Sequence, residues 1–534
     1  MRFLPVNLSA FMVELDSLEQ TMALTDSLTE IPIHGVEEII PAARTILVRY
    51  NPFIAEEDNL VKLITLRDIT KAKAKASKLV TIPVHYNGQD LPDVAQFLGV
   101  SVDEVIRRHT QNEYQVAFSG FAPGFGYMVS KHAQLNVPRR QSPRVRIPAG
   151  SVALAGEFSS VYPQASPGGW QLIGVTELSM WDINRPEPAL VQAGTRVNFV
   201  DAQKSQVSYS LPTKNLSIEQ PENTKADIIV LATGLQTLFQ DLGRVGQSAL
   251  GISESGGMDK SALRSANRIV GNLSDAAVLE ITQGGFKAQI NRNLVVAVTG
   301  ASCVIEVTTA SNQQYQVNPY QPVHLIKGDV IKLGSPNKGV RSYLAVRGGF
   351  NVKPILSSCS FDTLAQVGPA PLRVNQALSI KTSSPISAVS LSETPAFDYP
   401  DADDVVVLDV VLGPRTDWFT EQAIDKLTNQ LWQVTAASNR IGLRLSGEKP
   451  FERKKLQELP SEGTCIGAIQ VPANGQPVLF LNDHPLTGGY PVIGAVCEYH
   501  LDLAGQIPVN ARIRFNPLGE FKELHGSDGT DEQE

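Results

Sequence analysis

IPAGSVALAGEFSSVYPQASPGGWQLIG, Ile147 to Gly174, and VPANGQPVLFLNDHPLTGGYPVIG, Val471 to Gly494, are two versions of one pattern. Each opens with an aliphatic residue, Pro and Ala, and each closes with Gly-Gly, an aromatic, one spacer, two aliphatics and Gly. Agreement at so many special residues marks an internal repeat. Glycines and prolines every few residues exclude a long helix, so the short aliphatic runs between them are strands. The repeat therefore predicts two related β-barrels, each with a Gly-Gly-aromatic loop at an equivalent rim. Such a loop either exposes backbone N–H groups to an anion or only permits a tight turn.

The rest of the chain agrees with a mainly β fold. NLVVAVTG (Asn293 to Gly300), SYLAVRGG (Ser342 to Gly349) and DVVVLDVVLG (Asp404 to Gly413) are short, rich in β-branched residues and closed by glycine. Helical spacing is confined to a few segments, among them Asp93 to Gln111 and Lys260 to Asn272, the latter with Asp259 as N-cap and Gly271 as its stop.

Composition limits the function classes. A chain of 534 residues that is 42% hydrophobic holds roughly three or four domains, and its formal charge of -8 argues against nucleic-acid binding. No apolar run is long enough to span a bilayer and no secretory leader is recognisable, so a cytoplasmic protein is expected. The four cysteines are far apart, without metal-ligand spacing. Polar stretches at Lys71 to Lys78, Asp201 to Asp227 and Lys381 to Asp404 punctuate the chain; the first reads as a solvated helix end, the second as a linker between independently folding halves, and the third splits the second half. The acidic carboxy terminus is expected to be disordered.

Several segments have the residue types of a site. GFAPGFGYM, Gly120 to Met128, is a shaped loop, and the PRRQSPRVRIPAGS that follows carries Arg139, Arg140 and Arg144, which suit a planar grip on carboxylate or phosphate. GISESGGMDKSA, Gly251 to Ala262, has glycines before a helix but fails the phosphate-loop pattern, since Gly256 is followed by Gly257, Met258 and Asp259 instead of Lys. His484, beside Asp483 and the TGGY loop, is a better candidate base than His109 at a helix end, and Asp241 with Arg244 reads as an ion pair across a turn.

EVIRRHTQNEYQVAFSGFAPGFGYM, PRRQSPRVRIPAGSVALAG and SPGGWQLIG resemble the B component of bacterial ATP-dependent 5-oxoprolinase, the KipI or allophanate-hydrolase-subunit-1 family. GLQTLFQDLGRVG, SGGMDKSALRSANRIVGN, LEITQGG, RSYLAVRGGF, SNRIGLRLSG and TGGYPVIG resemble the C component, the KipA family, which is related to biotin-dependent carboxyltransferases. The chain looks like a fusion of the two. The resemblance implies an α+β amino-terminal domain (1–78), a cyclophilin-like barrel (79–205), a linker (206–226), two further cyclophilin-like barrels (227–385 and 386–518) and a tail (519–534). It also implies ATP with Mg²⁺, a separate A-component partner, a small anionic substrate, and no biotin on this chain; homo-oligomerisation stays open.

The implied reaction is ATP-driven opening of 5-oxo-L-proline to L-glutamate; a carboxyltransferase component and a kinase-regulating binding protein are the alternatives. For that reaction Asp241, Arg244, Asp259 and His484 are the catalytic candidates, with Asp241 or Asp259 on Mg²⁺ and Arg244 or Arg440 on the transferring phosphoryl group. Arg139, Arg140 and Arg144 would clamp the substrate carboxylate, beside Ser166, Gly168, Gly169 and Trp170 of one rim and Thr487, Gly488, Gly489 and Tyr490 of the other. Val175, where Arg is common in the B-like family, and Pro485–Leu486, where C-like members carry Gln-Thr, are departures beside the proposed rim.

Overall fold

The computed structural model describes residues 1–70, 78–130, 132–140, 142–204, 226–382 and 386–525. The lysines of 71–77, nearly all of the expected linker and the end of the tail lie outside the described residues.

Strand Ala10–Glu14 buries its first four side chains because both faces of its sheet are covered. It pairs with Arg2–Asn7 and Thr45–Tyr50, and Val36–Pro41 completes an antiparallel sheet of four. Alternation along the strands sends Phe11, Val13, Ile46 and Val48 towards helices Leu18–Glu30 and Glu57–Thr65. Leu4, Met12 and Leu47 point the other way, into a cluster with Ala468, Phe480, Val492 and Ala495. The first sheet of the chain is thus seated on its last barrel, and the expected independence of the two halves does not hold.

The second unit is a seven-stranded sheet ordered Gln171–Val175, Ser151–Ala155, Phe158–Val161, Gly126–Val129, Glu113–Ser119, Arg196–Asp201, Leu79–Val84. Its last two strands are parallel, and a bridge between His85 and Val175 brings its edges together. The periodic segment expected as one helix is two, Leu91–Leu98 and Val102–Thr110, because Gly99 takes φ +66° and ends the first, while Ser101 caps the second.

After the linker, sheets of six and five strands enclose one core built from residues such as Val230, Leu279, Val296 and Ile331. Helix Lys260–Val270 packs on the strands Leu294–Ser302 and Lys338–Val346. The polar stretch 386–404 is no free linker in its described part: Glu393 pairs with Arg268, and Tyr399 is buried with its hydroxyl 2.6 Å from that of Tyr320.

The last unit is a closed barrel in the order Val405–Leu412, Val492–Val496, Ala468–Gln470, Val478–Phe480, Gly442–Ser446, Trp432–Val434, Arg512–Pro517. Strand for strand this matches the second unit, including the parallel pairing of first and last strands and a small accessory ribbon, Arg144–Ile147 with Ser166–Gly168 in one and Glu462–Gly463 with Thr487–Gly488 in the other. The repeat is therefore a duplicated barrel, but only its carboxy-terminal half aligns as the residues suggest. Ile147-Pro148-Ala149 leads into strand Ser151–Ala155, whereas Val471-Pro472-Ala473 follows the equivalent strand Ala468–Gln470. The motif recurs one strand out of step because both places need a rigid turn.

The tail, expected to be disordered from 519, is docked up to 525. Phe521 packs against the barrel, Leu524 donates its N–H to the Phe3 carbonyl at 2.9 Å, and Glu523 pairs with Arg2 at 2.7 Å.

Replacing Phe480 by Ala should cost about 3–5 kcal/mol, because a fully enclosed aromatic leaves a cavity between sheet and barrel. Amide exchange in residues 1–50 should rise more than elsewhere, and urea denaturation with exchange mapping checks both effects.

Candidate functional site

Arg440 lies between the two carboxy-terminal units with 2% of its surface exposed. Its Nε and Nη2 donate to the two Asp483 oxygens, each at 2.9 Å, its Nη1 donates to Glu280, and Nη2 also reaches the Gly256 carbonyl at 2.7 Å. Asp483 further accepts from Ser255 Oγ at 2.6 Å and from Thr363 N at 2.8 Å, while Glu280 takes the Met258 N–H and the Tyr343 hydroxyl, both at 2.9 Å. Burial pulls the Arg440 pKa down, but Asp483 and Glu280 outweigh it and the net shift is upwards. Each guanidinium nitrogen is bonded inside the protein, so the expected phosphoryl clamp is instead a cross-brace holding the glycine loop Ser255–Met258.

That loop runs into helix Lys260–Val270. Asp259, fully buried, caps the helix by accepting from Ala262 N at 2.8 Å and is also held by Gln506 at 2.9 Å. Burial and the neighbouring Asp502 raise its pKa to about 7. Asp502 takes the first free amides of the helix, Lys260 N at 2.9 Å and Ser261 N at 3.0 Å. The anion-binding end of the helix thus already holds a protein carboxylate.

Beside it lies a cavity of about 310 Å³, walled by the first sheet (Asn7, Ile40, Arg49), the glycine loop and helix (Glu254, Lys260) and the last barrel (Asn482, His484). Lys260 Nζ is 2.9 Å and Arg49 3.4 Å from Glu254; burial opposes the Glu254 charge, but these two cations prevail and lower its pKa. His484 Nδ1 is 2.9 Å from the Pro485 carbonyl, which can only accept, so Nδ1 carries the hydrogen. Burial lowers the His484 pKa to about 4, leaving a neutral ring with a lone pair on Nε2. A fixed tautomer of this kind is what a general base needs.

The other sequence candidates have other duties. Asp241 accepts from Ser358 Oγ and Ser360 Oγ, both at 2.6 Å, and from Gly243 N at 2.9 Å, so it organises a turn and has no room for Mg²⁺. Arg244 is buried and bonds the Ser360 carbonyl instead of Asp241, and burial lowers its pKa. Its Nε and Nη1 have no hydrogen-bond partner among the described residues. Arg140 and Arg144 both grip Asp90, at 2.7 Å each, and Asp90 also accepts the Leu172 N–H at 2.7 Å. They pin the loop, because a 2% exposed carboxylate needs these partners: Arg144 holds both Asp90 oxygens and Arg140 holds one through Nη1.

The two rims do come together, yet on each other. Arg139 reaches Ser461 at 3.1 Å and lies against Gly489, where a Cβ would collide with its guanidinium. Thr487 bonds the Tyr127 hydroxyl at 3.3 Å, and Trp170 stands edge-on to Tyr127 at 5.5 Å. Gly168 makes room for the Tyr162 hydroxyl, Gly488 for Gln470, and the Gly169 carbonyl accepts from Arg140 N at 2.7 Å. The Ser166 hydroxyl is buried without a hydrogen-bond partner among the described residues, and Tyr490 lies 5.6 Å under Arg453. These glycines serve close packing, the plainer of their two readings. Asp90, Glu280 and Asp502 carry no local signal in the sequence because their partners are distant; Arg440 and Glu280 are 160 positions apart, whereas Glu254 meets Lys260 only six positions on and Arg49 across 205.

Two family models cover most of the chain: the carboxyltransferase domain, subdomain C and D, over residues 1–191, and the carboxyltransferase domain, subdomain A and B, over residues 250–517. The chain belongs to this carboxyltransferase-domain family. Within it, the 5-oxoprolinase C component of Escherichia coli (strain K12) is 34% identical over 289 residues, 54% of this chain and 89% of that protein. The 5-oxoprolinase B component of Escherichia coli O157:H7 is 41% identical over 192 residues, 35% of this chain and 87% of that protein. Urea amidolyase of Lachancea kluyveri is 31% identical over 311 residues, but these make up only 17% of its length. The crystal structure of TTHA0988 superposes with a TM-score of 0.80 at 30% identity, covering 95% of this chain and 99% of that one. This chain is therefore a carboxyltransferase-domain protein with B-like and C-like halves in one polypeptide.

Arg144→Lys should lower stability by about 1–3 kcal/mol, since a lysine cannot hold both Asp90 oxygens, and should leave ligand affinity unchanged. Denaturation and calorimetry on the one variant check both statements.

A pH effect follows from His109, which bridges Tyr86 and Ser159 at 2.7 and 2.8 Å and whose pKa burial lowers from 6.5 to about 3. The unfolded chain binds the proton first, so this stabilisation is complete above pH 6.5 and is lost as pH falls towards the folded value. Between about pH 6 and 4 the wild type should therefore lose about 1.4 kcal/mol per pH unit more than His109→Gln, as read by urea denaturation.

Proposed function

We infer that this chain is the combined B and C component of an ATP-dependent 5-oxoprolinase, opening 5-oxo-L-proline to L-glutamate with a separate A component in the cytoplasm. The observation that carries this is coverage: one chain spans 87% of a B component and 89% of a C component at 41% and 34% identity. The cavity beside His484 suits a small polar ring with a carboxylate. Lys260, Arg49 and Arg264 supply positive charge against Glu38, Glu254, Glu498 and Asp502, and Ile40 and Met258 supply apolar wall.

In this reading Lys260, released from Glu254, takes the substrate carboxylate, and Asn482, anchored to the Gly257 carbonyl at 2.9 Å, fixes the loop that orients it. His484 Nε2 accepts a proton from the water that attacks the ring carbonyl. The chemistry ATP supplies to a lactam is phosphorylation of the carbonyl oxygen, which activates the ring carbon towards that water; the ring C–N bond then breaks with its nitrogen taking a proton, and a second water releases the phosphate. The residues proposed for Mg²⁺ do not fit it, since Asp241 and Asp259 are saturated by protein donors and no group of three metal-ligating side chains occurs among the described residues.

A carboxyltransferase reading is favoured by the family description and by the urea amidolyase likeness. It requires a biotin carrier on another chain.

Purified chain plus an A-component protein should release glutamate from 5-oxoproline and ATP, and His484→Asn should cut that rate about 100-fold or more without lowering the melting temperature. Carboxyl transfer from carboxybiotin to urea, with no glutamate release, would replace the first reading by the second.

A further inference from the structure

A second cavity, of about 190 Å³, lies on the other side of the contact between the first sheet and the last barrel. Four cations line it, Arg2, Arg44, Arg415 and Lys455, against two carboxylates, Glu14 and Glu462. Glu523 and Asp417 answer Arg2 and Lys455 from outside its lining, which leaves Arg44 as the lining cation without a carboxylate partner among the described residues. Arg415 is 3% exposed and is held in place by Glu462 and by Glu14 at 2.7 Å. Arg44 is exposed and forms no ion pair among the described residues. Thr45, also in the lining, is 1% exposed, and its hydroxyl has no hydrogen-bond partner among them. A buried hydroxyl without a partner and an exposed, unpaired guanidinium on the wall of one cavity are complementary to an acceptor-rich anion.

We propose that this cavity is a binding site for a small tetrahedral oxyanion, inorganic phosphate, separate from the His484 cavity. The Arg44 guanidinium fork, the Lys455 ammonium and the Thr45 hydroxyl supply its donors, while Arg2 is held by Glu14 and Glu523. Glu14 and Glu462 keep Arg415 aligned behind them. Glu462 pairs with Gly488, and Thr464 accompanies it by donating its N–H to the Leu486 carbonyl at 2.9 Å, so the site adjoins the loop that carries His484. The proposal does not depend on the oxoprolinase reading.

The test is calorimetric titration of the full chain with sodium phosphate at constant ionic strength, with sulfate and glutamate as comparison anions. Phosphate should bind at one site per chain and sulfate should compete. Arg44→Ala and Lys455→Ala should each weaken binding about tenfold or more with an unchanged fold, since both side chains are partly solvated. His484→Asn should bind as the wild type does. Absence of phosphate binding, equal binding by Arg44→Ala and Lys455→Ala, loss in His484→Asn, or tighter binding of glutamate than of phosphate would each overturn the assignment.

Discussion

A guanidinium sealed between two barrels is the constraint on which the rest is built. Arg440 is one of two buried cations in its cluster; Arg341, 3.7 Å from Glu280, is the other, and they are balanced by Glu280 and Asp483. Desolvating four charges is tolerable only when each is paired and hydrogen-bonded, and removing one strands its partner. The network therefore ties the glycine loop, the barrel strand before His484 and the strand Val278–Thr282 into one arrangement. A fixed ring tautomer at His484 and a lysine at the helix start are local results of that arrangement.

The duplicated barrel shows how one pattern acquires two uses. Strand order and accessory ribbon are the same in both copies, yet the rims do not line two pockets. Tyr127 and Arg139 of one rim meet Thr487, Ser461 and Gly489 of the other, so the features that would have made two anion sites make one interface. The usable cavities form where unlike surfaces meet, along the first sheet.

Much of the fold is legible in the residues. Glycine-bounded β-branched runs locate the strands, and the Gly-Gly-aromatic ends align because the same ribbon-to-strand turn recurs. The front of the repeat misaligns because Pro-Ala marks a turn without saying which turn. For the site, residue type is visible and pairing is not. Arg140 and Arg144 look ligand-ready because Asp90 lies 50 and 54 positions away, and nothing local announces it. Asp259 reads as a cap from its position alone, and that role is what leaves it no part with a metal. His484 stands out from its neighbours, but its tautomer depends on the Pro485 carbonyl.

The seating of the first sheet on the last barrel also has a history during synthesis. Asn7 meets Cys465 across 458 positions, and Arg415 meets Glu14 across 401. A ribosome emits the sheet early, and the surface that covers Leu4, Met12 and Leu47 does not exist until the barrel strands emerge at the end. For most of translation that apolar face has only solvent or a chaperone to rest against. Contacts of such sequence separation form late and slow folding. Producing the B-like and C-like halves as one chain keeps the waiting face and its eventual cover at high effective concentration, so that docking need not await a collision between separate molecules.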